Sequence, residues 1–423
     1  MKPGDKIKVT ADSVVEGIFV NETSKTIFVK LDNGYNVGIS KDKIKKKETV
    51  GEGKKLEIKH GREFKPKKGL PEISILHTGG TIASKVDYRT GAVFTSFKPE
   101  DLVGMFPELS DVANINSKLI SNMWSEDMNF GHYKLMAKAI AEEIKKGCSG
   151  VILTHGTDTL GYTAAALAFV LENVPVPVII VGAQRSSDRG SSDSAMNMIS
   201  AANFILNSKF AGVAVCMHSS SGDTVCDIMP ACKTRKMHSS RRDAFKVIND
   251  KPIASIDINT KEIKFHKEIH KPQGDFKVMD KFEEKVGLLK VYPGIRPEQF
   301  KAYKNYKGLV IEGTGLGHAP INHIDDLTKF NKDNLKAIKE LASSGCVIVM
   351  TSQTLNGRVN MNVYSTGVDL QGAGVIPGED MLAETAFIKL AWLLGNYPKE
   401  AKEMVGKDLR GEINKRISAD EFC

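Results

Sequence analysis

Ile73-Ser74-Ile75-Leu76-His77-Thr78-Gly79-Gly80-Thr81-Ile82-Ala83-Ser84 decides how this chain folds. A β-branched, apolar run of strand length ends in two glycines flanked by hydroxyl residues. The glycines let the backbone turn sharply and approach a ligand closely. The arrangement recurs 78 residues later in Val151-Ile152-Leu153-Thr154-His155-Gly156-Thr157-Asp158-Thr159-Leu160. Each run places a polar cluster where a buried strand gives way to the next element. In open α/β sheets that place, the carboxyl end of a strand, is where ligands bind.

Outward from these two runs the same alternation continues. Strand-length apolar segments fall at 73–78, 151–155, 176–182, 212–217, 308–312 and 346–351. Helical segments fall at 129–146, 160–172, 195–207, 331–344 and 381–394. In the first helix Met136, Ile140 and Ile144 recur at i, i+4, i+8 and share a face. Strands alternating with helices predict a mostly parallel sheet covered on both sides. The charged, aperiodic stretch 261–285 separates a larger α/β domain, 71–285, from a smaller one, 286–423, with a helical tail.

Residues 1–70 differ. Short β-rich runs at 7–10, 16–20, 26–31 and 35–39, with the turn Asp32-Asn33-Gly34, predict a small all-β, barrel-like domain. Residues 62–69 read as a linker, being polar and broken by Pro66 and Gly69. Residues 1–70 hold 17 basic and 10 acidic side chains, the rest 42 and 41. The excess positive charge is therefore concentrated in this first domain. A basic surface attracts nucleic acid or simply keeps a protein soluble, and charge alone does not choose.

Composition excludes several classes. The chain is 41% hydrophobic and 26% charged, within the range of globular proteins. It lacks an 18-residue apolar stretch, so no membrane helix is expected. The N-terminus shows no secretory pattern, and a cytoplasmic location is expected. The six cysteines, Cys148, Cys216, Cys226, Cys232, Cys346 and Cys423, form no CxxC pair and read as reduced, buried thiols. The ten histidines make no ligand-spaced cluster, so no metal site is expected.

Each motif has a plainer explanation. Thr78–Ser84 alone also fits a phosphate-cradling loop or a glycine turn, although the Gly-Lys-Ser/Thr ending of a P-loop is missing. Thr157, Asp158 or Thr159 would each serve as a helix N-cap. Capping accounts for one such residue and leaves the rest of the cluster unexplained.

Taken together, the two motifs resemble the signature motifs of bacterial-type asparaginases and glutaminases. Supporting matches follow in order: Ser125-Glu126-Asp127-Met128, Lys236 nine residues before Phe245, Gly313-Thr314-Gly315-Leu316-Gly317-His318-Ala319-Pro320 and the helix at 380–395. The resemblance covers roughly residues 71–400. It implies a two-domain asparaginase-like body and an amide-hydrolysing activity. Thr81 matches the catalytic threonine expected to act as nucleophile. Thr157, Asp158 and Lys236 match the second catalytic group. Ser125, Asp127, Gly80 and Gly156 match substrate-binding positions. The Thr157 N–H is a candidate oxyanion donor. A loop tyrosine is also catalytic in the family; Tyr88 is the only nearby candidate, closer to Thr81 than in some members, and an ordinary surface tyrosine is the competing reading.

The basic first domain narrows the resemblance. Gly4-Asp5-Lys6-Ile7-Lys8-Val9 and Val29-Lys30-Leu31-Asp32-Asn33-Gly34-Tyr35, ahead of an asparaginase body, are similar to the D subunits of archaeal glutamyl-tRNA(Gln) amidotransferases. That similarity implies a homodimeric core, a second, E-type subunit and Glu-tRNA(Gln) as partners. It implies that ATP and magnesium are bound by the E-type subunit, leaving this chain without a cofactor. Two alternatives remain: a free-standing L-asparaginase, and an RNA-binding module on an inactive amidase body. Intact Thr81, Thr157, Asp158 and Lys236 argue against the latter. Preference between glutamine and asparagine is not legible, because one methylene in a pocket contributes only about 1–3 kcal/mol.

Overall fold

The computed structural model describes residues 1–2, 4–31, 36–52, 67–80, 84–86, 93–95, 109, 112–185, 192–269 and 272–416. Thr81, Tyr88, the Asp32-Asn33-Gly34 turn and most of the expected linker lie outside them.

The first unit is a five-stranded antiparallel sheet. Its strands are β1 (Asp5–Thr10), β2 (Val14–Glu22), β3 (Thr26–Lys30), β4 (Asn36–Ser40) and β5 (Lys46–Glu52), in the order β4-β3-β2-β1-β5. Alternation drives it: Ile7, Val9, Phe19, Ile27, Val29 and Ile39 form its core. The lysines of Lys6-Ile7-Lys8-Val9 fall on the other face, as a period of two requires.

The body begins with β6 (Glu72–Gly79), followed by a hairpin, β7 (Ser84–Val86) and β8 (Val93–Thr95), and an edge strand, β9 (Asn114–Met123). Next come α1 (Phe130–Lys145), β10 (Gly150–Thr154), α2 (Leu160–Val170), β11 (Leu171–Glu172), β12 (Pro177–Val181), α3 (Ser194–Asn207) and β13 (Gly212–His218). The chain then turns back through β14 (Val225–Pro230), the hairpin β15 (Thr234–Lys236) and β16 (Phe245–Val247), β17 (Ala254–Asp257) and β18 (Ile263–Phe265). The eight-stranded sheet has the order β18-β17-β14-β13-β12-β10-β6-β9. Strands β13 to β9 in that order are parallel, whereas β14, β17 and β18 add on antiparallel. The parallel strands at its centre, β10 and β12, are buried at every residue, so they read as unbroken apolar runs.

The structure departs from the sequence expectation in four places. The helix expected over 160–172 stops at Val170, because Leu171 and Glu172 pair with β19 (Lys277–Val278). The stretch 261–285 holds β18 and β19, elements too short to show a period. Edge strand β9 has no counterpart among the expected strands, because Asn-Ile-Asn-Ser-Lys-Leu-Ile-Ser-Asn-Met is half polar and none of it is fully buried. The last long helix, expected over 381–394, instead spans Ala383–Asn396.

A second parallel sheet follows: β20 (Val286–Lys290), β21 (Gly308–Gly313), β22 (Val347–Ser352) and β23 (Val375–Pro377), side by side in chain order. Helices α4 (Pro297–Lys301) and α5 (Asn331–Ser343) cover one face, with α6 (Ser365–Gly372) preceding β23. On its other face lies α7 (Ala383–Asn396), which packs against α2. Helix α2, Leu-Gly-Tyr-Thr-Ala-Ala-Ala-Leu-Ala-Phe-Val, is apolar nearly all round, as befits a helix enclosed between two sheets. Phe169 and Trp392 meet there at 5.5 Å, so the two sheets share one continuous core.

Candidate active site

The carboxyl ends of β6 and β10 lie side by side, paired through His77 and Thr154. The Thr78 hydroxyl donates to the Thr154 carbonyl at 2.9 Å. His77 bridges the Thr154 and Ser117 hydroxyls at 3.0 and 2.7 Å. Beyond these bonds the backbones come into direct contact. Gly79 and Gly80 adopt φ of 99° and 78°, where only glycine is unstrained. A β-carbon on Gly80 would lie 2.5 Å from Gly156 Cα, and one on Gly156 would lie 2.8 Å from Ser125 Cβ. The glycines of both motifs are thus needed for close approach, and with Ser125 they form one three-way junction. Thr159 holds the third member in place, its hydroxyl donating to the Ser125 carbonyl at 2.7 Å. Ser125 is buried and Asp127, two residues along the same 3-10 turn, is exposed.

Beside the junction stand Thr157, Asp158 and Lys236. Lys236 Nζ donates to Thr157 Oγ1 at 2.9 Å and to Asp158 Oδ1 at 2.7 Å. Thr157 is buried; the Asp158 side chain is 66% exposed and that of Lys236 15%. Gly182, at the end of β12, makes room for Thr157: a β-carbon there would approach Thr157 Cγ2 to 2.8 Å. The Thr157 N–H has no acceptor among the described residues. At the mouth of α2 it is a backbone donor without a partner among those residues, beside a hydroxyl held by Lys236 Nζ. Such a set suits stabilising an oxyanion and moving a proton.

Lys236 reaches this point from the three-residue strand β15, whose register sets it opposite Phe245. The strand and the residues just before it are held by α7 and the segment leading into it. Lys233 Nζ pairs with Asp380 Oδ2 at 2.6 Å, both side chains essentially without exposure. Arg235 donates to Glu384 at 2.8 Å, and the Thr385 hydroxyl donates to the Cys232 carbonyl at 2.9 Å. None of these anchors is legible in the sequence, where lone charged residues ordinarily read as solvated surface. His155 was also without a role. It is fully buried, and burial pushes its pKa down to about 4, as it does for His77.

So Thr157, Asp158 and Lys236 come together, and Gly80, Gly156 and Ser125 come together next to them. Thr81 follows Gly80 directly in the chain; like Tyr88, it lies outside the described residues. Among the described residues no cluster of three or more His, Cys, Asp or Glu side chains could hold a metal ion. The five described cysteines are buried and free. No helix among the described residues is long and apolar enough to cross a membrane.

The fold and this strand-end arrangement have known counterparts. Residues 72–271 match the asparaginase N-terminal family and 285–405 the glutaminase/asparaginase C-terminal domain. The thermostable L-asparaginase from Thermococcus kodakarensis superposes with a TM-score of 0.71 at 28% identity, covering 82% of this chain and all of that one. L-asparaginase I from Vibrio cholerae gives 0.70 at 29% identity, covering 82% and 99%. The protein is therefore an enzyme of the asparaginase-type amidohydrolase class.

The remainder of the chain specifies which branch. Residues 1–50 match the GatD N-terminal domain. The D subunit of glutamyl-tRNA(Gln) amidotransferase from Methanococcus maripaludis strain C7 is 46% identical over 441 residues, covering 99% of this chain and 100% of the relative. Its counterpart from Pyrococcus furiosus is 47% identical, covering 100% and 95%. The chain belongs to the family of glutamyl-tRNA(Gln) amidotransferase D subunits.

Proposed function

We propose that this chain hydrolyses the side-chain amide of glutamine, or of asparagine, and passes the ammonia to a second subunit that converts Glu-tRNA(Gln) to Gln-tRNA(Gln). The contact of Lys236 Nζ with Thr157 Oγ1 and Asp158 Oδ1 carries this reading. In it Thr81 Oγ attacks the amide carbon. Its proton passes through the Thr157 hydroxyl to Lys236, acting as an amine base, with Asp158 orienting the lysine. The Thr157 N–H stabilises the tetrahedral oxyanion. Lys236 returns that proton to the amide nitrogen as the intermediate collapses, so ammonia leaves and an acyl ester remains on Thr81. Water then attacks the ester, releasing the carboxylate and restoring the hydroxyl. Ser125 and Asp127 bind the α-carboxylate and α-amino ends, the Gly80 and Gly156 backbones border the amide, and Tyr88 is the loop tyrosine.

Within this reading residues 1–70 are the added basic unit, 71–285 carry the chemistry and 286–423 hold the Lys236 strand. The chain forms a homodimeric core with an E-type subunit, in the cytoplasm. ATP and magnesium bind on that partner, and this chain takes no cofactor.

Two measurements test the proposal. Glutaminase activity of the isolated chain should be low and should rise well over tenfold with the partner subunit and Glu-tRNA(Gln). Thr81→Val should lose activity by several orders of magnitude while remaining folded. Full-speed hydrolysis by the lone chain, indifferent to both additions, would mean a free-standing asparaginase. Activity of Thr81→Val within tenfold of wild type would remove Thr81 as nucleophile.

A further inference from the structure

We propose that His155 is a positioning residue that aims the Thr157 N–H at the oxyanion by gripping the other side of the same peptide group. The inference rests on the hydrolytic reading above and assigns its oxyanion donor a support. His155 is fully buried, its own N–H bonded to the Val181 carbonyl at 2.9 Å, so the ring has a fixed mount on β12. Nδ1 lies 2.6 Å from the Gly156 carbonyl oxygen, and Nε2 lies 2.8 Å from Thr163 Oγ1. A carbonyl only accepts, so Nδ1 carries the proton. Nε2 is then an acceptor, and the Thr163 hydroxyl donates to it. The tautomer follows from the partners, with Thr163 on α2 acting as the lock.

The Gly156–Thr157 peptide is planar, and the chain's described peptides are all trans. In a trans peptide the C=O and N–H point in opposite directions. Holding the Gly156 carbonyl against His155 therefore points the Thr157 N–H the other way, where it meets no acceptor of the described chain. Gly156 is the residue least able to hold this orientation by itself. It has no side chain, and glycine has the widest backbone freedom. It cannot gain a side chain either, because Ser125 occupies the space. A hydrogen bond on its carbonyl supplies the rigidity that a side chain supplies elsewhere.

The test uses the full chain with its partner subunit and glutamine as the amide. Deleting an oxyanion donor outright costs about 10²–10³ in kcat. His155→Leu leaves the donor present but loosely aimed, so kcat should fall about tenfold with KM within twofold of wild type. His155→Asn puts an amide N–H near the former Nδ1 and should recover most of that loss. A role confined to packing would lower stability in both variants without separating kcat from KM. Nitrogen-15 spectra of the wild-type histidines should show His155 protonated on Nδ1. Thr163→Val, offered in case His155→Leu does not fold, should release the lock, raise the Nε2-protonated form and lower kcat several-fold. Unchanged kcat in His155→Leu, or a wild-type Nε2–H tautomer, would overturn the inference. Wild-type complex that hydrolyses neither glutamine nor asparagine would instead overturn the proposed function, and the tautomer measurement would still stand.

Discussion

Replacing Lys233 by methionine isolates what holds the Lys236 strand in place. Methionine keeps much of the length and apolar stem of lysine and removes the charge. In the native protein Lys233 Nζ meets Asp380 Oδ2 at 2.6 Å and the Asp380 carbonyl at 3.3 Å, and neither side chain is more than 1% exposed. The other carboxylate oxygen accepts from the Asn414 N–H at 3.0 Å. After the substitution that N–H alone would face a buried charge. Removing one partner of a buried pair costs about 3–5 kcal/mol, chiefly through the charge left behind. If the chain unfolds as one unit, about 2.1 cal/mol/K per residue summed over its length is roughly 0.9 kcal/mol per kelvin. The melting temperature should then fall by about 3–6 °C. Lys233→Met combined with Asp380→Leu removes the stranded charge and leaves the Asn414 N–H unpaired, a cost of about 1–3 kcal/mol. The double variant should therefore be more stable than Lys233→Met alone. Calorimetry on the four proteins of the cycle gives the answer. A double variant that loses the sum of both single effects would refute the argument, as would a Lys233→Met protein within 1 °C of wild type.

Two further outcomes are expected. Lys236→Met and Thr157→Val, joined by a 2.9 Å hydrogen bond, should be strongly non-additive in kcat, because groups that share one proton transfer fail together; simple multiplication of the two losses would place them in different steps. His77 and His155, both pushed down to about 4 by burial, bind protons more readily in the unfolded chain than in the folded one. Their contribution to stability should be complete above about 6.5 and be lost as pH falls toward 4. His77→Gln should reduce the slope of melting temperature against pH in that window, and an unaltered slope would mean that His77 does not titrate there.

Much of the fold is legible because strands β6, β10, β12, β13, β21 and β22 are largely buried on both faces and show as mainly apolar runs of strand length. What escaped was made of shorter or half-exposed pieces. Strand β9 is polar along an edge, and β15, which delivers Lys236, has three residues with no periodicity to detect. In sequence Gly80 and Gly156 read as room for a ligand; that they also make room for each other and for Ser125 is a three-dimensional fact. Lys236 was found through family likeness, since nothing local in Lys233-Thr234-Arg235-Lys236 distinguishes the last lysine from the first. The structure separates them completely: Lys233 is sealed in an ion pair with Asp380, 147 residues away, and Lys236 faces the site.

The bonds from Cys232, Lys233 and Arg235 to Thr385, Asp380 and Glu384 constrain how this enzyme can breathe. A clamshell motion, with the two sheets swinging apart to admit substrate, would drag a buried ion pair into water and pull Lys236 away from Thr157. Parting of the two sheets is thereby opposed by the same contacts that set where Lys236 stands.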